Sequence, residues 1–189
     1  MKVCFLSVLS LGLPYLFIAS YPTGILQNGY LQNIPSTCSL CFNQSMNLPL
    51  DSIQLLTCSA EYLFVASVNI QGEYLLGAYG DRYDVLNEQS TVSQAFGPSN
   101  QVYWYFIPHL AFGFSPTIKI SLNPCDDNDP LDPFRMSWIL DSNQGGCRVG
   151  KHVNSSQNSN LFKVAYACKY NGDGELFKAD SIKIFTLFV

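Results

Sequence analysis

The chain carries little charge. Of 189 residues only 13% are Asp, Glu, Lys or Arg, and the ten basic residues are scattered among 14 acidic ones. No basic patch can form, which excludes the electrostatic footprint of a nucleic-acid or anionic-membrane binder. Histidine is scarcer: His109 and His152 are the only two. A Ser/His/Asp or Cys/His set would have to use one of them, and no nucleophile elbow is present. Neither histidine has a Cys-x-x-Cys partner pattern, so a zinc site lacks ligands. "NQGGCRVG" from Asn143 is glycine-rich, but it lacks the strand-to-helix setting and the Lys-Ser/Thr ending of a phosphate loop. No useful internal repeat occurs, no long apolar run follows the first 20 residues, and no amphipathic helical pattern follows residue 60.

Apolar material is plentiful at 48% of residues, with 14% aromatic, enough for one domain with a real core. Lys2 followed by the apolar stretch Val3 to Ala19 reads as a signal peptide over residues 1–20, cut near Ser20. The run is short for a membrane span and Pro14 interrupts it. The tail "SIKIFTLFV" is too short for a lipid-anchor signal and reads as a strand. Without the leader, nine basic residues face 14 acidic ones, a net charge of −5. Six cysteines remain: Cys38, Cys41, Cys58, Cys125, Cys147 and Cys168. An even number in a secreted chain favours disulfides over a redox or metal role for Cys38-Ser39-Leu40-Cys41. Three lie before residue 60 and three after residue 120, so complete pairing forces at least one bridge between the halves. Asn43-Gln44-Ser45 and Asn154-Ser155-Ser156 match the N-glycosylation pattern, making Asn43 and Asn154 candidate acceptors.

The organisation expected is a leader, a cysteine-anchored N-terminal appendage over residues 21–60, and a β-domain over 61–189. The appendage is turn-rich, with a short helix before Cys58 whose start Pro49 limits. From Glu61 the period becomes two. "EYLFVASVN" is apolar on both faces and reads as a central strand, paired through a turn with "EYLLGAY". "TIKISL" alternates with Ile118, Ile120 and Leu122 inward; "FRMSWIL" puts Phe134, Met136, Trp138 and Leu140 on one face; "LFKVAYAC" groups Phe162, Val164, Tyr166 and Cys168. Such short strands between turn clusters predict an all-β fold, an antiparallel β-sandwich or jelly-roll-like domain stapled by disulfides.

Two stretches carry candidate chemistry. In "QVYWYFIPHLAFGF", Tyr103 and Tyr105 share one strand face and Trp104 the other; one face meets the core and the other is a candidate sugar platform, because flat rings stack on sugar C–H faces. Gly113 leaves room for a ring or backbone to approach. Trp138 is a further stacking candidate and Arg148 a polar one, with a salt bridge to Asp141 or to the acidic loop as its structural role. In "NPCDDNDPLDP", Asp126, Asp127, Asp129 and Asp132 fall within seven residues. Clustered hard oxygens in a turn suit calcium, although the spacing is not that of an EF-hand.

The stretch from Glu61 to Cys168 resembles a group of uncharacterised secreted invertebrate-type β-rich modules. The resemblance rests on "EYLFVASVNIQGEYLLGAYGD", "VYWYF", "FGFSPT", "RMSW" and "GGCRVG", over more than half of the chain. Met136 stands where that pattern has Leu, and Cys147 occupies a variable position. The preceding cysteine segment is similar to small cysteine-bridged adhesion modules. The resemblance implies an extracellular setting and no catalytic residues. The expected function is a secreted, non-catalytic module that binds carbohydrate or glycoprotein, without nucleic acid or membrane insertion in the mature form. A structural matrix or surface-assembly role is the alternative, and a polysaccharide hydrolase a more distant one.

Overall fold

A computed structural model describes residues 21–48, 50–141, 148–153 and 160–169. The expected signal peptide, Cys147, Asn154 and the strand expected over residues 181–189 lie outside them. Two antiparallel sheets face each other. The first has five strands in the order β1-β4-β3-β11-β2: β1 Ile25–Tyr30, β2 Cys38–Ser45, β3 Tyr62–Val68, β4 Glu73–Asp81 and β11 Phe162–Cys168. The second has six, β10-β9-β8-β7-β6-β5: β5 Phe96–Ser99, β6 Val102–Ile107, β7 Ala111–Ser115, β8 Met136–Ile139, β9 Arg148–Val149 and β10 His152–Val153.

Period-two patterning sorts the side chains. On β3, Leu63 and Val65 enter the core between the sheets, while Tyr62, Phe64, Ala66 and Val68 stand on the opposite, outer face. β3 is the middle strand, which is why both its faces are apolar. The turn into β4 is built by Asn69, whose side-chain carbonyl accepts the amides of Gln71 and Glu73 at 3.0 Å each. Gly72 there has φ +78°, which a residue with a Cβ resists. From the second sheet, Val102, Trp104, Phe106, Phe112, Phe114, Met136, Trp138 and Leu140 fill the same core. Trp104 meets Phe114 edge-on at 5.3 Å, and Phe112 tilts against Trp138 at 5.4 Å. Each such buried side chain contributes about 1.5–3 kcal/mol of hydrophobic stabilisation.

Three expectations are revised. Residues 21–60 are not an appendage: they supply β1 and β2, the two edge strands of the five-stranded sheet. β2 lies along β11 with Cys38 opposite Cys168, and that pair forms a disulfide across 130 residues. It is the tie between the halves that the cysteine distribution demanded. Cys41 bonds Cys58, fixing β2 to the segment after helix α1 Ser52–Leu56. The helix begins only after Pro49, with the Asp51 carboxylate accepting the Ile53 amide at 2.8 Å, and β2 takes the first part of the stretch expected to be helical. "TIKISL" is the third revision. It forms isolated bridges, Gln94 to Lys119 and Leu122 to Asp126, instead of a strand. Ile120 is buried but Ile118 is 41% exposed. The Asp126 carboxylate accepts the Ser121 amide at 3.0 Å, so the ladder is interrupted by a side chain.

Candidate functional site

The aromatic platform expected on β6 is not a surface. Trp104, Tyr105 and Trp138 have no exposed area, and Tyr103 alone is half-buried. Trp104 and Trp138 sit in the inter-sheet core. Tyr105 points the other way, but segment 117–122 folds over that face and buries it with Ala95, Ala111 and Ile120. Each polar edge is satisfied internally. The Tyr105 hydroxyl donates to the Met136 carbonyl at 2.7 Å, Trp138 Nε1 donates to Ser67 Oγ at 3.3 Å, and Trp104 Nε1 donates to the Ser99 carbonyl at 3.4 Å. Burial pushes the Tyr105 hydroxyl pKa upward, so it remains a donor. The room foreseen at Gly113 is used by Tyr105 itself: the two are cross-strand partners, and a Cβ on Gly113 would strike the Tyr105 ring and the Met136 carbonyl.

The acidic loop is held from within by two arginines. Asp126 is buried and accepts Arg135 Nη1 at 2.9 Å, while Asp132 accepts Arg135 Nε at 2.9 Å. Arg148, also fully buried, donates to five backbone carbonyls: Gly150 at 2.8 Å, Asp126 at 2.9 Å, Asn128 at 2.8 Å, Asp129 at 2.7 Å and Asp132 at 3.0 Å. That exhausts the donors of a guanidinium. Carbonyls and carboxylates that would suit a hard cation are thus bound to guanidinium groups, and only the Asp127 and Asp129 side chains face solvent. Among the described residues, no three His, Cys, Asp or Glu side chains form a metal-ligand group. The structure gives Arg148 a role inside the fold, with no surface to offer a ligand.

One Ser/Asp/His set does assemble, in the wrong order for nucleophilic catalysis. Asp141 lies between the other two: it accepts the Ser52 hydroxyl at 2.5 Å and the Ser52 amide at 2.9 Å, and pairs with His109 Nδ1 at 2.9 Å. A nucleophilic serine needs the imidazole as its base, and here the carboxylate intervenes. His109 is 83% exposed and serves the outer side of the carboxylate. Partial burial pushes the Asp141 pKa up, but the two Ser52 hydrogen bonds and His109 outweigh it and hold it below the usual carboxylate range. The set clamps the start of α1 to the end of β8. Sequence reading missed it because its members are 89 and 32 residues apart.

The open aromatic surface lies elsewhere, on the outer face of the five-stranded sheet. Tyr21 covers one end of that face, stacked on Tyr79 at 4.8 Å, and Leu31 and Ile34 pack farther along. Between them and β11 remains a groove of about 250 Å³, lined among others by Leu31, Asn43, Val68, Asn69, Phe162 and Tyr166. Phe162 and Tyr166 are half-buried. Burial raises the Tyr166 pKa, keeping its hydroxyl neutral. Asn43 stands exposed on β2 and bears the sequon; Asn69 adds an amide, its Nδ2 donating to Glu73 at 3.1 Å. Two other openings lack Phe, Tyr and Trp: about 230 Å³ between the sheets, bordered by Gln27, Leu75, Pro133, Lys151 and His152, and about 490 Å³ at Ser59, Glu61, Arg82 and Lys169. The alternation in "LFKVAYAC" grouped Phe162, Val164 and Tyr166 correctly; that their shared face is the outer one was not visible in it.

No protein-family model matches the chain, and no curated protein and no solved structure does so either.

Proposed function

We propose that the protein is a secreted, non-catalytic binding module for carbohydrate, free or carried by a glycoprotein, and that its ligand surface is the groove on the outer face of the five-stranded sheet. The observation that carries this is the pair Phe162 and Tyr166: half-buried rings on one face of one strand, about 13 Å apart at strand spacing. Rings of this kind stack on the apolar face of a sugar, and the Asn43 amide at the rim supplies a donor and an acceptor for its hydroxyls. No charged side chain lines the groove, which favours a neutral ligand. The leader-like N-terminus and the disulfides Cys38–Cys168 and Cys41–Cys58 support export to an oxidising compartment. Calcium has no part in this reading, because guanidinium groups occupy the interior of the acidic loop. Hydrolysis is not placed there either: the Asp126 and Asp132 carboxylates are both tied to Arg135. One observation favours surface assembly as a second reading. Among the described residues, no strand pairs with the outer edge of β2, and β2 carries no charged residue.

The test is a glycan-array screen of protein made without N-glycans, in calcium and again in a chelator. Saturable binding in both buffers is expected, with Tyr166→Ala lowering affinity about tenfold, one ring–sugar contact, while the variant still melts cooperatively at a temperature lowered by the lost Phe64 contact. Binding that survives Tyr166→Ala and Phe162→Ala together would move the site off this groove.

A further inference from the structure

We propose that Asn43 carries an N-linked glycan and that its first N-acetylglucosamine seats in the groove, closing it to sugars in trans. The inference rests on the reading of the groove as a sugar site. Asn43 begins the Asn-Gln-Ser sequon, lies exposed in the middle of β2, and no described strand pairs with the outer side of β2. Its cross-strand partner is Val164, so both side chains stand on the outer face, between Phe162 and Tyr166 of β11. Asn43 is itself part of the groove lining. A sugar bonded to its side-chain nitrogen therefore starts at the rim of the site, already beside both rings.

The attachment takes a lipid-pyrophosphate-linked oligosaccharide as donor. The Asn43 Nδ2 forms a bond to the anomeric carbon of the first sugar. The bond from that carbon to the pyrophosphate oxygen breaks, one amide proton is lost, and the lipid pyrophosphate leaves. No oxidant or reductant is needed. Once attached, the sugar acts at the effective concentration of a short tether, on the order of millimolar. The tethered sugar holds the site when that concentration exceeds the groove's dissociation constant for the same sugar, and about a fivefold excess corresponds to a melting-temperature rise of about 3 °C.

The experiment compares secreted protein bearing its full glycan, the same protein trimmed by an endoglycosidase to one N-acetylglucosamine, and the sequon variants Ser45→Ala and Ser45→Val, which leave the Asn43 amide in the groove. All carry Ser156→Ala to remove the second sequon. Intact mass should show occupancy at Asn43. The trimmed form should keep the full form's melting temperature, about 3 °C above both sequon variants, and Tyr166→Ala should erase that difference. Array binding should appear in the sequon variants and be absent from the trimmed form. An unoccupied Asn43, or a trimmed form that melts with the sequon variants, overturns the proposal. Equal array binding by trimmed and sequon-free protein also overturns it and leaves the proposed function standing. Sequon variants that bind no glycan would sink that function instead, and a Tyr166-dependent rise in melting temperature would then still support the seated sugar.

Discussion

Lys163 shows how much one side chain depends on which face it occupies. It alternates with Phe162 and Val164, so once those two face outward it points between the sheets. It is fully buried there, and its amine donates to the Leu48 carbonyl. Desolvation pushes its pKa down to about 8. The unfolded chain, with a lysine near 10.5, binds more protons than the folded one between the two values. Stability therefore rises with pH from about 8 toward 10, and the cost of burial is fully present below 8. The shift corresponds to roughly 3 kcal/mol. Lys163→Met gives up one hydrogen bond worth about 1 kcal/mol and should raise stability at pH 7 by roughly 1–2 kcal/mol. Urea midpoints at pH 8 and 9.5 provide the check: they should climb in the wild type and stay flat in the variant. A midpoint that falls at pH 7 on Lys163→Met would mean that the amine has stronger partners than a single carbonyl. Arg148 carries the same lesson. Charge offered it a carboxylate of Asp141 or of the acidic loop, but its partners are five backbone carbonyls, four of them in that loop, and backbone geometry leaves no trace in residue type.

At the scale of elements, hydrophobic period served well wherever strands pair with strands. β3, β4, β8 and β11 were readable, and β6 with β7 as a pair, because a core between two sheets enforces alternation. Edge strands were not. β1 and β2 are short of apolar residues and rich in Asn, Gln, Ser and Gly, since one side of each meets solvent. The stretch 117–135 was misread for a different reason. It is organised by Asp126, Arg135 and Arg148, whose bonds replace a ladder, and no two-residue period records that. Its dependence on Arg148 is testable. Lys in place of Arg148 brings at most three donors to five carbonyls, leaving two or more buried acceptors unmet at about 1–3 kcal/mol each. Arg148→Lys should therefore cost about 2–5 kcal/mol in chemical denaturation and make residues 127–132 the first site of proteolysis. A variant that unfolds at the wild-type midpoint would show that the loop holds together without the guanidinium.

For the whole molecule, the edge of β2, which no described strand covers, sets the balance between a soluble module and an assembling one. It is eight residues long, without Lys, Arg, Asp, Glu, Pro or Gly, and Leu40 on it is 50% exposed. Proteins protect such edges with charge, proline or cover, because the free amides and carbonyls are a template for another copy. The net charge of −5 without the leader is too small and too well screened at physiological salt to keep copies apart at strand-pairing distance. A glycan on Asn43, in the middle of this edge, would supply the missing cover. Ser45→Ala protein should then associate with rising concentration in light scattering, through a β2–β2 pairing that joins two five-stranded sheets. Glycosylated protein should remain monomeric over the same range. Leu40→Lys, which places a charge on the edge without touching the sequon, should return Ser45→Ala protein to the monomer. Association that persists in Ser45→Ala/Leu40→Lys would move the contact away from β2. A Ser45→Ala protein that stays monomeric would remove the main physical support for surface assembly and leave ligand binding as the use to which this sheet is put.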